Sequence, residues 1–291
     1  MKRTLLSLAV AAILSTASLS GAATIEVNEF LPSTSSPASG KWYLTDIRGG
    51  GTATINNLTG VGGNLETNQP LPTGAAKLTT GLDDNDKAEV GTFANFGLAS
   101  TLLEDIELGY DYYKQSVTGG NTAAAPSIKL TIAAQGGTGD NYGQLVYEPY
   151  WNLPGTGPGT PETGDWKSVS IDERTGWDGT DLDGGWWWTG GFGFPGSAGG
   201  DPLRSLEEWA TGFAVEDGDD FANAYLIGIS IGVGTYNQGQ VGYFDNVSIR
   251  STTGQLDITY DFEASEIPEP ATLMLFGLGL VGIAGMSRRK H

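Results

Sequence analysis

The chain has 291 residues, with 15 Lys and Arg against 34 Asp and Glu and a formal net charge of -19. It has no cysteine, and its single histidine is the last residue, His291. These counts exclude a Ser-His-Asp triad, a cysteine nucleophile, a thiolate or imidazole zinc site and a disulfide framework. Nucleic acid is not expected as a partner, because phosphate binding requires clustered Lys and Arg. The chemistry left open is that of carboxylates, calcium and aromatic sugar-binding surfaces.

The N-terminal segment, residues 1–23, predicts a secretory signal peptide. Two basic residues precede an apolar run at 5–14, and small residues follow it. The run is too short for a stable membrane anchor, so we expect cleavage after Ala22 or Ala23. The exported body, residues 24–266, then keeps all but one of the acids against ten Lys and Arg, a charge of about -23.

Period-two segments dominate the body and predict β-strands. The most regular alternation of apolar with small or polar residues occurs at 106–112, 128–132, 227–233 and 256–262. Such alternation places one apolar face against a core and the other face outward. About ten short strands with Gly, Asn and Asp turns predict an all-β, antiparallel β-sandwich that is jelly-roll-like. A β-helix is the alternative, although the sequence has no fixed repeat period.

A catalytic alternative rests on Glu148. Glycosidases need two carboxyl groups at the right separation, and Glu148 lies beside Tyr147 and Tyr150 in an aromatic strand-end setting. The sequence has no acidic nucleophile strand of the laminarinase kind. The preferred interpretation is therefore a protein that is not an enzyme, and a secreted glycoside hydrolase is the alternative.

The segment from 147 to 209 contains seven of the eight tryptophans. Rigid aromatic rings are good anchors, and their faces stack on the C–H faces of sugar rings. The triplet Trp186, Trp187 and Trp188 is the best ligand-binding candidate because glycines flank it on both sides. This pattern predicts an exposed loop in which at least one ring leaves the core side.

Three carboxylates just before the triplet, Asp178, Asp181 and Asp183, are candidate calcium ligands. Calcium takes six to eight oxygen ligands, and acids around a glycine turn can supply several of them. The alternative is a solvated turn, since Asp and Gly are common turn residues. Similar acidic clusters occur at 83–86 and 216–220, with the same two interpretations. A short helix is predicted after them in the Trp-rich region, capped by Asp201 and running to Ala210.

The stretch from Gly242 to Ile249 reads GYFDNVSI. An aromatic residue followed by Asp-Asn-Val near the end of a β domain is similar to the last core strand of jelly-roll modules of the carbohydrate-binding or concanavalin-like kind. The resemblance implies a fold more than a function. We expect Asp245 and Asn246 to fix the end of a strand through hydrogen bonds with the local backbone.

The C-terminal segment, residues 267–291, predicts a membrane anchor. An uncharged apolar stretch at 271–286 would form a transmembrane helix about 24 Å long, a little shorter than a ~30 Å hydrocarbon core. The basic tail that follows holds this end in the cytoplasm by the positive-inside rule. The body before it therefore faces outward, in agreement with the predicted signal peptide.

A Pro-Glu-Pro motif stands directly before the apolar stretch. The motif, the apolar helix and the basic tail together resemble the PEP-CTERM sorting signal of Gram-negative bacteria. The residues that carry the resemblance are Pro268, Glu269, Pro270, Arg288 and Arg289. It implies an exosortase, a membrane-embedded cysteine protease, as processing partner, with transient residence in the inner membrane. Delivery to the cell surface or extracellular matrix follows.

These observations predict an exported surface or matrix protein that associates with extracellular polysaccharide. A body whose only specific property is to be sorted is a further alternative. Calcium is the one cofactor that the acidic clusters suggest.

Overall fold

The computed structural model describes residues 23–115, 119–134, 142–153, 158–176, 184–190, 203–211, 221–252 and 256–265. The predicted signal segment before Ala23 and the sorting segment after residue 266 lie outside these ranges. Within them, no helix is both long enough and apolar enough to cross a bilayer. The predicted span at 271–286 is not among the described residues.

The described residues form fourteen strands in two seven-stranded sheets. In chain order the strands are β1 (Ala23–Glu26), β2 (Phe30–Pro32), β3 (Trp42–Arg48), β4 (Thr52–Asn57), β5 (Gly74–Thr79), β6 (Lys87–Leu98), β7 (Ile106–Lys114), β8 (Ser127–Ala134), β9 (Tyr142–Tyr147), β10 (Trp166–Ile171), β11 (Trp187–Gly190), β12 (Ala224–Val233), β13 (Val241–Ser251) and β14 (Asp257–Asp261). The helices are α1 (Gly63–Thr67), α2 (Ala99–Leu102) and α3 (Leu206–Ala210), with a 3-10 turn at Phe221–Asn223.

The first sheet has the order β1-β14-β13-β5-β4, with β7 on the other side of β13 and β10 beside β7. The second sheet has the order β11-β9-β8-β12-β6-β3-β2. Most neighbours are antiparallel, but β1 pairs with β14 and β2 pairs with β3 in parallel. The sheets are therefore mixed, and the expectation of a purely antiparallel sandwich is wrong at these two pairs. The short strands β1 and β2 pair with sheet edges whose backbone N–H and C=O groups have no other strand partner. Such an edge can pair with an added strand that runs in either direction.

Alternating side chains build one core between the sheets. All four regular segments of the sequence form strands, namely β7, β8, β12 and β14. Leu130 and Ile132 of β8 are fully buried in the same cluster as Leu108 and Tyr110 of β7, which lies in the other sheet. Burial of apolar area at about 25 cal/mol per Å² is the main stabilising contribution in such a core. The result is a two-layer β-sandwich.

A β-bulge in β13 contains the Asp-Asn pair of the GYFDNVSI segment. The register of β13 against β7 shifts between Asp245 and Ser248, and Asn246 has a φ of 53°. Asp245 Oδ1 accepts a hydrogen bond from Phe262 N at 3.0 Å, and Asn246 Nδ2 donates to Asp111 Oδ2 at 2.8 Å. Phe262 directly follows β14 and Asp111 lies on β7, so these two bonds join β13 to its neighbours in the sheet, while the backbone N–H of Asn246 contacts the Asp245 carboxyl locally. The bulge lets one edge of β13 pair first with β5 and then with β14.

Helix α3 begins later than the sequence pattern predicts. Leu203 is not helical, and Ser205 caps the helix instead of Asp201. Ser205 Oγ accepts from Glu208 N at 3.2 Å, and Glu208 Oε2 accepts from Ser205 N at 3.1 Å. This reciprocal capping box satisfies two N–H groups at once, which a lone Asp cap does not.

Candidate functional site

Polar side chains cover the outer face of the central strands of the second sheet. Because successive strand residues point to opposite faces, the neighbours of the core residue Leu130 point outward. Lys129 lies opposite Ser230 of β12, and Thr131 lies opposite Gln144 of β9. The strand order therefore brings residues from distant parts of the chain onto one outer surface.

A groove lies over this face and has two chambers, a wide one of about 390 Å³ and a narrow one of about 100 Å³. Lys87 and Gln144 line both chambers, so the two are adjacent. The aromatic residues of the groove are Tyr150, Trp151, Trp187 and Tyr236 in the wide chamber and Phe93 and Tyr142 in the narrow one. The wide chamber has the size of a small-ligand site.

A network of ion pairs forms the floor between the chambers, centred on Glu89 of β6. Lys87 Nζ lies 2.9 Å from Glu89 Oε2 and 2.9 Å from Asp46 Oδ2, and Lys129 Nζ also contacts Glu89 Oε2. The other oxygen, Oε1, accepts from Ser230 Oγ at 3.0 Å and from Gln144 Nε2 at 3.3 Å. Both carboxylate oxygens are thus fully engaged.

The charge state of Glu89 follows from this arrangement. Burial alone would raise its pKa, but the charges of Lys129 and Lys87 outweigh burial and hold the pKa well below its ordinary value. Glu89 is therefore an anion in the folded protein. Removing one member of such a buried pair would leave an uncompensated charge, so separating Glu89 from its two lysines is costly.

Glu148 lies at the end of β9 in the wall of the wide chamber. Trp187 Nε1 donates a hydrogen bond to Glu148 Oε2 at 3.3 Å. Burial raises the pKa of the Glu148 carboxyl, and the opposing influence of Lys129 and Trp187 is smaller. The aromatic strand-end setting expected for Glu148 is therefore observed, and a polar group and an indole ring stand together in one wall.

Tyr236 stands at the rim of the wide chamber, with 70% of its surface exposed. Its φ is 62°, in the left-handed region that an aromatic residue rarely adopts. Two other loops hold this conformation: Tyr236 N donates to Asp84 O at 2.8 Å, and Tyr236 O accepts from Asn121 Nδ2 at 3.1 Å. Strain that the surroundings enforce in this way is typical of functional sites.

Sequence reasoning missed Tyr236 as well as the network around Glu89. The available signal for Tyr236 was an isolated aromatic residue in a turn between Gly234 and Gly239. Glu89 gave little local signal, because only Lys87 lies near it in sequence, and its partners Lys129 and Ser230 come from strands that are remote along the chain.

The tryptophan triplet is not an exposed loop, and that expectation is wrong. Trp186 is fully buried, Trp188 is 2% exposed and Trp187 is 9% exposed. The Trp186 ring lies 5.3 Å from that of Tyr147, and the Trp188 ring lies 5.2 Å from that of Phe221. Trp186 and Trp188 are core residues, and Trp187 alone lines the groove.

The flanking glycines explain this burial. A Cβ on Gly185 would lie 2.6 Å from the carbonyl oxygen of Arg204, and one on Gly190 would lie 2.4 Å from the Cα of Gly143. A Cβ on Gly143 would itself lie 2.1 Å from the Trp188 ring. The glycines thus permit close packing of backbone and ring, rather than marking a solvent-exposed loop.

The calcium candidates Asp178, Asp181 and Asp183 lie outside the described residues. Among the residues that are described, no group of three or more His, Cys, Asp or Glu is arranged to hold a metal ion. The acidic cluster at 83–86 forms a turn, in which Asp86 Oδ1 accepts from Gly50 N at 2.7 Å and Asp83 Oδ1 accepts from Asn85 N at 2.9 Å.

The described body is thus a β-sandwich with a polar, aromatic-walled groove on one outer face. The chain also carries a PEP-CTERM protein-sorting motif, matched over residues 266–290. This agrees with the resemblance of the segment 267–291, and it implies an exported protein that is processed at the membrane by an exosortase.

Solved structures similar to the chain include carbohydrate-binding modules and an enzyme. A family 11 carbohydrate-binding module from Clostridium thermocellum, in complex with a β-1,3-1,4-mixed-linked tetrasaccharide, is 13% identical, with 77% of this chain and 90% of that chain covered and a TM-score of 0.36. TmCBM61 in complex with β-1,4-galactotriose is 13% identical, with 72% and 88% covered and a TM-score of 0.31. An exo-β-agarase is 12% identical, with 77% and 24% covered and a TM-score of 0.35. The comparison with curated proteins gives no match.

Proposed function

We propose that this protein is an exported component of the cell surface or extracellular matrix of a Gram-negative bacterium and binds extracellular polysaccharide in the groove of its second sheet. The observation that carries the proposal is the groove itself, in which a strained, exposed Tyr236 and the ring of Trp187 lie beside hydroxyl, amide and carboxyl groups. Aromatic faces and fixed polar groups are what a polyhydroxylated ring requires. The two mixed sheets support a jelly-roll-like scaffold.

The two ends of the chain supply the route to the outside. The signal peptide within residues 1–23 is cleaved after Ala22 or Ala23, and cleavage after Ala22 leaves strand β1 complete, since it begins at Ala23. Segment 267–291 then anchors the precursor in the inner membrane until the exosortase cuts near Pro268 to Pro270. The body, 24–266, is the part that meets polysaccharide.

Replacing Tyr236 by glycine tests the proposal at the groove rim. We expect affinity for polysaccharide to fall about tenfold or more, which is about 1.4 kcal/mol, because the exposed ring is removed. Stability should be unchanged within about 1 kcal/mol, since glycine relieves the left-handed strain and offsets the lost contacts. Affinity electrophoresis on a panel of glucans, galactans and mannans measures binding, and thermal unfolding measures stability.

Tyr236→Phe is the matched control, because it keeps the ring and removes only the hydroxyl group. It should bind within about twofold of wild type. Equal binding by wild type and Tyr236→Gly would remove Tyr236 from the site, and no retention of wild type by any glycan would refute the proposed function.

Glycoside hydrolysis is a second candidate, favoured by one observation. Two carboxyl groups of the groove have pKa values displaced in opposite directions, raised for Glu148 and lowered for Glu89, as in an acid and its anionic partner. Against it, both oxygens of Glu89 are occupied by Lys87, Lys129 and two polar side chains. We therefore prefer binding without turnover.

A reducing-sugar assay on the same panel separates the two candidates. We expect no release of reducing ends by wild type and an unchanged background with Glu148→Gln. Release that wild type shows and Glu148→Gln abolishes would establish the hydrolase instead.

A further inference from the structure

We infer that the groove takes uncharged glycans and rejects those bearing carboxylate or other anionic groups. The inference rests on the proposed function and adds the ligand class to it. The observation behind it is the way in which the cations of the groove are already paired.

The cations of the body can all be accounted for. The body has ten Lys and Arg, and each of them lies within the described ranges. Three line the wide chamber, namely Arg48, Lys87 and Lys129. These three are the candidates for holding a carboxylate group of a ligand, since anion recognition in the groove requires a positively charged side chain.

Each of the three cations already holds a carboxylate of the protein. Arg48 binds Asp46 with two nitrogens, Nε at 2.7 Å and Nη2 at 2.5 Å. Lys87 lies between Asp46 and Glu89, at 2.9 Å from each, and Lys129 contacts Glu89. At Lys87 or Lys129 an anionic ligand would have to displace Glu89, whose side chain is 3% exposed, and this would leave the displaced carboxylate buried without its cation.

The three cations face three carboxyl groups of the groove, Asp46, Glu89 and Glu148. Glu148 adds a carboxyl group to the wall of the wide chamber, and the whole chain carries a net charge of -19. A protein with such a charge repels anionic polymers at low salt. Neutral groups meet the ligand instead, including Thr189, Asn237 and Gln144, and hydroxyl and amide groups bond well with sugar hydroxyls.

The experiment compares neutral polysaccharides with derivatives of the same polymers in which C6 is oxidised to a carboxylate. The linkage and the ring are then the same, and only the charge differs. Full-length protein in a detergent without a sugar headgroup is titrated at about 50 mM and about 500 mM NaCl, because salt screens repulsion over a Debye length of about 10 Å at 0.1 M. We expect the neutral form to bind at least tenfold more tightly at low salt, and the carboxylated form to gain affinity at high salt.

Asp46→Asn is the variant that should change this preference. It removes the carboxylate that binds Arg48 and one of the two carboxylates that contact Lys87. Its side chain is 25% exposed, so the variant is expected to fold. Asp257→Asn is the matched control: Asp257 pairs with Arg250 at 3.1 Å, is 35% exposed and lies in the first sheet. Asp46→Asn should raise affinity for the carboxylated form severalfold, and Asp257→Asn should not.

Three results would overturn the inference. The carboxylated form could bind as tightly as the neutral form, its affinity could fall as salt rises, or the two variants could shift the preference equally. The first two leave the proposed function intact, since a glycan is still bound. Absence of binding to both forms of every polymer would refute the proposed function itself.

Discussion

A variant in which alanine replaces Trp188 is expected to unfold with about 3–5 kcal/mol less free energy than wild type. The Trp188 side chain is 2% exposed and its ring packs against Phe221 and Gly143. Truncation therefore opens a cavity between β11 and its surroundings that close-packed neighbours cannot fill. Chemical denaturation followed by tryptophan fluorescence measures the change.

The neighbouring variant Trp187→Ala should have the opposite profile. Trp187 packs with Val146 and Leu203 in a small cluster, and its other side faces the groove. We expect a smaller loss of stability, about 1–2 kcal/mol, and at least a tenfold loss of polysaccharide affinity. The comparison of the two variants distinguishes a core residue, Trp188, from a ligand-binding residue, Trp187, within one triplet.

Trp166→Ala serves as the control, because Trp166 is a partly buried tryptophan on the first sheet, where it contacts Tyr113. It should cost stability and leave binding unchanged. If Trp188→Ala were as stable as wild type, the core position of that ring would be wrong. If Trp187→Ala bound as well as wild type, the groove would not be the binding site.

The second large effect is a dependence of folding stability on pH, which arises from Asp245. The Asp245 side chain is fully buried, and its Oδ2 has no hydrogen-bond partner among the described residues. Burial raises the pKa of Asp245 to about 8, and the charges of Asp261 and Glu263 add to the increase. The folded protein therefore keeps a proton on Asp245 at a pH at which the unfolded chain has lost it.

The sign of the stability change follows from this difference. Because the pKa is higher in the folded state, the contribution of Asp245 to stability is full below pH about 4 and is lost as the pH rises towards 8. At about 1.4 kcal/mol for each pKa unit, the loss is on the order of a few kcal/mol. Wild type should therefore become less stable between pH 5 and pH 8.

Asp245→Asn should remove most of this dependence. The amide oxygen can still accept the bond from Phe262 N, and no charge has to be buried at high pH. The variant should thus be more stable than wild type at pH 8, and the difference should shrink towards pH 5. Denaturation at pH 5, 6, 7 and 8, with Asp257→Asn as a partly exposed control, tests this. Parallel curves for wild type and Asp245→Asn would contradict it.

Local patterns in the sequence predicted the strands well, because strand formation requires only alternation over a few residues. Segments 106–112 and 227–233 became β7 and β12, and Ile229, Ile231 and Val233 of β12 join the core, whereas Ile227 lies at a bulge. The parallel pairing of β1 with β14 and of β2 with β3 was not predictable in this way, since the direction of an edge strand depends on where the rest of the chain lies. The same limit explains the late start of α3, where Ser205 and Glu208 were the better signal.

The candidate site was predicted only in part. Glu148 was selected for its aromatic neighbours, and it does line the groove with Trp187. The prediction of an exposed loop was wrong for the triplet. A run of tryptophans between glycines is compatible both with an exposed loop and with rings that pack closely against the backbone. Tyr236 was missed because its importance lies in a strained φ and in bonds from two other loops.

The sequence by itself determined how this protein is sorted and that its body is built of strands. A sorting signal is a short linear segment that needs no fold to be recognised, and the segment 267–291 was identified on that basis, in agreement with the motif matched at 266–290. Only the tertiary structure decided which face bears a groove and which charges meet there. Asp46 of β3 pairs with Lys87 of β6, and Lys129 of β8 pairs with Glu89 of β6, and only long-range strand pairing brings these groups within ion-pair distance.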